Sequence, residues 1–123
     1  MSAETQLYST LSNAAAVTAI VGSGSATRIY PDFIGQTIVC PAIVYRRAET
    51  ENVRTIHSSA ILASLVTLEI WCMATSARAG ADALADAVET ALASSTFAVV
   101  NRRAEFDADT ETFVTVLTAS YWQ

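Results

Sequence analysis

At 123 residues the chain has room for one core and not for two, and a fold of this size buries roughly two-thirds of the surface its unfolded form exposes. A net charge of −5 and a basic set made only of arginine argue against a nucleic-acid grip, which depends on clustered cations neutralising phosphates. No stretch approaches the roughly 20 apolar residues of a membrane helix, the start Met1-Ser2-Ala3-Glu4-Thr5 has no leader character, and Cys40 and Cys72 are too few for a disulfide framework, so one cytosolic, non-membrane domain over 1–123 is expected.

In chain order, Ser2 is a natural N-cap for a short amphipathic helix over 2–13, with Glu4 in its first turn and Leu7 and Leu11 on one stripe. A second apolar turn, Ala14 to Val21, ends at Gly22-Ser23-Gly24-Ser25, which reads as a flexible break. Arg28 to Asp32 is a brief extended piece closed by Pro31, and after a loop to Val39 a strand begins beyond Cys40-Pro41, as Ala42-Ile43-Val44-Tyr45-Arg46-Arg47. The polar run Ala48 to Ser59 has too few apolar residues to pack on a core. It predicts the arms and tip of an extended hairpin that projects from the body.

From Ile61 to Ala74 the even positions Leu62, Val66, Leu68, Ile70 and Cys72 are apolar, and the odd ones include Thr67 and Glu69. Period-2 alternation of this kind marks a half-buried strand. The period then changes: Ala77, Ala81, Leu84, Ala85, Val88 and Leu92 share a helical face, with Thr75 or Ser76 as the expected cap. Arg78 is expected to pair with Asp82 one turn on, making a solvated charged face that includes Asp86. Two strands, Phe97 to Phe106 and Phe113 to Trp122, flank the acidic turn Asp107-Ala108-Asp109-Thr110-Glu111 and close the chain as a hairpin. The predicted order is α-β-β-α-β-β, an α+β fold with a mostly antiparallel four-stranded sheet and its helices packed on one face.

Reactive chemistry finds little purchase. His57, the single histidine, lies in the polar hairpin, where nothing would hold a nucleophile and an orienting acid around it. The acidic turn lacks the spacing and glycine of a calcium loop, and Gly22 to Ser25 lacks the pattern and context of a phosphate loop. No catalytic, cofactor or metal residues are expected. The notable charges are two arginine pairs, Arg46-Arg47 and Arg102-Arg103, each split between the two faces of a sheet because strand side chains alternate. Acids follow each pair: Glu49 and Glu51 the first, Glu105, Asp107, Asp109 and Glu111 the second. Contacts between copies would use Arg46, Arg47, Glu49, Glu51, Arg54, His57, Arg102 and Arg103. Against this stands a bland reading, in which the same residues form exposed pairs within one subunit.

The succession Arg28-Ile29-Tyr30-Pro31, Cys40-Pro41-Ala42-Ile43-Val44-Tyr45, Ile70-Trp71 leading into the helix Ala77 to Leu92, and Phe113 to Trp122 resembles the tail-completion or tail-terminator proteins of siphophages and gene-transfer agents. The likeness spans nearly the whole chain. It implies a non-enzymatic virion protein of the tail neck, a six-membered ring that caps the head-proximal end of the tail tube and joins it to the head connector or stopper protein. The ring and tube contacts of that family would fall on the arm around Ala48 to Ser59 and on the sheet edges, and DNA would pass through the lumen without specific binding. The alternatives are a dimeric ferredoxin-like enzyme or ligand-binding module, with a pocket built from Tyr45, Trp71 and Tyr121, and another neck component such as a stopper or adaptor.

Overall fold

The structure is a computed structural model, and it describes residues 2–32, 39–54 and 61–123. Helix α1 spans Ala3–Ser12 and α2 spans Ala15–Val21. The hydroxyl of Ser2 accepts from the backbone N–H of Thr5, the capping contact expected of it. Beyond α2 the chain is not a flexible break. Gly22 adopts φ +90°, and a Cβ there would lie 2.8 Å from the Ala26 carbonyl oxygen, so this position requires glycine. A single 3-10 turn, Gly24–Ala26, follows.

Five strands form one sheet: β1 Ile29–Pro31, β2 Ala42–Arg54, β3 Ile61–Ala74, β4 Ala98–Asp107 and β5 Thr112–Trp122. Their order is β1-β2-β3-β5-β4. The expected four-stranded, mostly antiparallel sheet is therefore corrected to a five-stranded mixed one. β1 pairs parallel to β2 over Ile29 to Pro31, held by the Arg28 guanidinium, which donates to the carbonyls of Pro41 and Ile20. Three residues carry too little alternation to announce a strand.

Helix α3, Arg78–Ala93, connects β3 to β4. Both strands run antiparallel to β5, so they are parallel to each other with β5 inserted between them, a split β-α-β unit. Ala77, not Thr75 or Ser76, occupies the cap position of α3, with no side-chain hydrogen bond.

One core lies between the helices and one sheet face. Leu7, Leu11, Val17, Val21, Leu84, Val88 and Leu92 meet Ile43, Tyr45, Val66, Leu68, Ile70, Cys72, Leu117 and Ala119. The strand residues are the alternating set predicted for β3 and its register partners on β2 and β5. Burial pushes the Cys72 thiol well above its usual range, with the nearby Arg102 charge a smaller opposing influence. Val44, Trp71, Met73, Val114 and Val116 belong to the second face, which carries no helix among the described residues.

Candidate functional site

The β2–β3 hairpin outgrows the sheet. β5 stops at Trp122, opposite Leu65, with Gln123 still bonded to Ser64, whereas β2 and β3 continue pairing to Arg54 and Ile61. Every β2 residue from Ala48 to Arg54 is exposed, including Glu49, Glu51 and Arg54. Val53 and Ile61 put 41% and 51% of their surface into solvent. A projecting arm was expected over Ala48 to Ser59, and its ladder is present as far as Arg54; His57 lies outside the described residues.

At the arm's base the arginine pair divides between the two faces, as strand alternation requires. Arg47 turns to the helix side, where its Nε and Nη2 donate to Glu4 Oε1 of α1 at 3.1 and 2.6 Å, and it also reaches Gln123 and Thr50. Arg46 turns to the second face and donates to Glu69 Oε1 at 3.1 and 2.8 Å, with its guanidinium 5.6 Å from the Trp71 ring centroid.

The second pair divides likewise. Arg102 meets Asp86 at 2.8 Å, Glu89 at 3.3 Å and Asp82 at 3.6 Å on α3. Arg103 reaches across β5 to Glu69 Oε2 at 3.0 Å and to Glu105 at 3.1 Å. Glu69 is thus clamped between guanidinium groups from β2 and β4, its side chain 13% exposed. Burial alone would raise its pKa, but the hydrogen bonds from Arg103 and Arg46 prevail and hold the carboxyl below its usual range. The bonds to Glu69 and Glu105 raise Arg103 in turn.

Of the acids that follow the two arginine pairs, only Glu105 takes an arginine among the described residues, Arg103; the other partners lie far away in sequence. Glu4, Glu69, Asp86 and Glu89 take the arginines, while Glu49 and Glu51 enter none of the ion pairs among the described residues. Only Glu69 left a local signal, an acid inside an alternating apolar strand. Arg78 is a second correction: it does not pair with Asp82. It donates to the carbonyls of Val114 and Glu105 and lies 5.4 Å from the Phe113 ring centroid, tying α3 to the β4–β5 hairpin. Asp82 instead accepts from the Thr115 hydroxyl at 2.9 Å.

Tyr45, Trp71 and Tyr121 do not converge. Tyr45 pairs with Ile70 and Tyr121 with Val66 on the helix face, and Trp71 points to the other side. Tyr121 stacks on Phe97 at 4.7 Å between centroids. A depression of about 340 Å³ on the second face is lined by Trp71, Met73, Glu105, Asp107 and Val114; another of about 400 Å³ lies beside Ile20, Cys40, Ala74 and Gly80. Among the described residues, no three His, Cys, Asp or Glu side chains are grouped to hold a metal ion.

The profile of the family described as "Tail completion protein gp17" matches residues 5–123. Among solved structures, a chain from "Virion of native gene transfer agent (GTA) particle" superposes with a TM-score of 0.70 at 16% identity, covering 94% of this chain and 90% of that one. At that identity the likeness is one of fold. No curated protein sequence matches.

Proposed function

The chain belongs to the tail completion protein gp17 family, and from that premise we propose that its 123 residues act as one structural, non-enzymatic domain that closes a phage-like tail. Six copies form a ring on the head-proximal end of the tail tube, stop its growth and join it to the connector or stopper of the head. The observation that carries this reading is the family match over nearly the whole chain, on a subunit whose polar hairpin projects past its own sheet. A ring of identical subunits needs two different patches on each copy, and the arm and the sheet margins supply them.

Within the interface, Glu49, Glu51 and Arg54 of the arm are the joint residues, with Arg46 and Arg103 on the second face. Arg47 and Arg102 serve from inside the subunit by fixing the arm base to α1 and β4 to α3. Six copies carry about −30 formal charges, so acids facing the lumen would let DNA pass without adhering. A positive, arginine-lined channel in an assembled ring would refute that detail.

The main test is direct. Native mass spectrometry is expected to give six times the 13.1 kDa subunit mass, and electron microscopy a cap at one end of tail tubes assembled without this protein. A chain that stays monomeric at high concentration and leaves the tubes uncapped would remove the proposal.

A further inference from the structure

Two long strand edges lie at opposite margins of the sheet. β4 is the last strand on one side, and all its residues from Val100 to Asp107 are exposed. On the other side β1 covers β2 only from Ile43 to Tyr45. From Arg46 to Arg54 the outer edge of β2 therefore has no neighbouring strand among the described residues. Unpaired edges of this length recruit other strands unless they are covered or blocked.

We infer that the β4 edge of one copy pairs with the β2 arm edge of the next, so that the ring is closed by a sheet running continuously from subunit to subunit. This rests on the ring reading above and names its joint. Strand direction supports it. β2 is antiparallel to β3, β3 to β5 and β5 to β4, so β4 runs opposite to β2. A neighbour added by continuing the sheet therefore meets β4 with an antiparallel strand, the slightly more stable pairing, and keeps its helices on the same side. In a closed ring each copy uses both margins once, and neither edge remains open.

The bulges bound the segments that can pair, and charge selects the register. The β2 ladder shifts at Ala48 and the β4 ladder at Val100, leaving Glu49 to Val53 and Asn101 to Asp107 as uninterrupted segments. Glu49, Glu51 and Arg103 share the second face, as their cross-strand partners Thr67, Leu65 and Val116 show. Antiparallel pairing with Glu49 opposite Arg103 and Glu51 opposite Asn101 keeps that face matched. It also gives the two unpaired arm acids a guanidinium that is 40% exposed.

Hydrogen exchange on the unmodified chain tests this, comparing the ring with diluted monomer. The outward-pointing amides of residues 49–51 and 101–103 are expected to exchange at least tenfold more slowly in the ring, while the interior strands β3 and β5 change little. A ring whose β4 amides exchange at the monomer rate overturns the joint and leaves the ring reading intact; a persistent monomer overturns both. The double variant Glu49→Lys with Glu51→Lys is expected to retain the parent's circular dichroism and melting temperature. Its ring should dissociate at a protein concentration at least tenfold higher at low salt, and an unchanged concentration would overturn the register.

Discussion

The two ends of the β2–β3 hairpin are built from the same pair of strands and could hardly differ more in surroundings. At one end Ile43, Tyr45, Ile70 and Cys72 lie under three helices; at the other Glu49 to Arg54 and Ile61 have solvent around them. Both ends carry backbone pairing. What separates them is side-chain burial, and burial rather than ladder hydrogen bonding supplies most of the net stabilisation. An isolated two-stranded ribbon is marginal in water, so the arm depends for its shape on the body at its root.

Substitutions along the hairpin measure that contrast. Leu68→Ala, at a fully buried position, is expected to lower unfolding free energy by about 2–5 kcal/mol in urea titration; a loss below about 1 kcal/mol would mean the core is elsewhere. At the boundary, Glu69→Gln removes the carboxylate shared by Arg46 and Arg103 and is expected to cost about 1–3 kcal/mol at neutral pH. The sign of its pH dependence follows from a folded-state pKa held below the ordinary 4.5. The carboxylate's contribution is present above pH 4.5 and disappears as pH falls through the lower folded value. Parent and variant should therefore converge in acid, and a gap that widens there would contradict the clamp. Arg47→Ala, which frees the arm base from α1, is expected to cost no more than about 1 kcal/mol, because both partners are about a third exposed. Val53→Ser on the arm should change monomer stability by less than about 0.5 kcal/mol. A larger loss would show that the arm belongs to the folded body.

Much of this was legible before any coordinates. The change of period after Ala74 separated β3 from α3 because 2.0 and 3.6 repeats are distinguishable within a dozen residues, and β3 ran over the span expected, Ile61–Ala74. The Arg46-Arg47 and Arg102-Arg103 pairs divided between faces because strand geometry leaves no other choice. The arm was readable from what it lacked, enough apolar residues to be buried. Partner identities were not. Arg103 reaches Glu69 only because β5 sits between β3 and β4, and strand order has no local signature. Arg78 abandoned Asp82 for backbone carbonyls of a hairpin far along the chain, so tertiary contact prevailed over helical spacing. β1 joined the sheet because of Arg28 and its two carbonyl acceptors, which no periodicity encodes.

The two cysteines differ in a way that experiments can exploit. Cys72 is fully buried, whereas Cys40 stands half-exposed at the edge of a depression. Burial raises the pKa of Cys40 and the charge of Arg28 partly opposes that, and a maleimide dye added to the native chain is expected to reach this sulfur and not that of Cys72. One fluorophore per subunit is then expected without mutagenesis, and the number of bleaching steps counted on a single particle would report how many copies it contains.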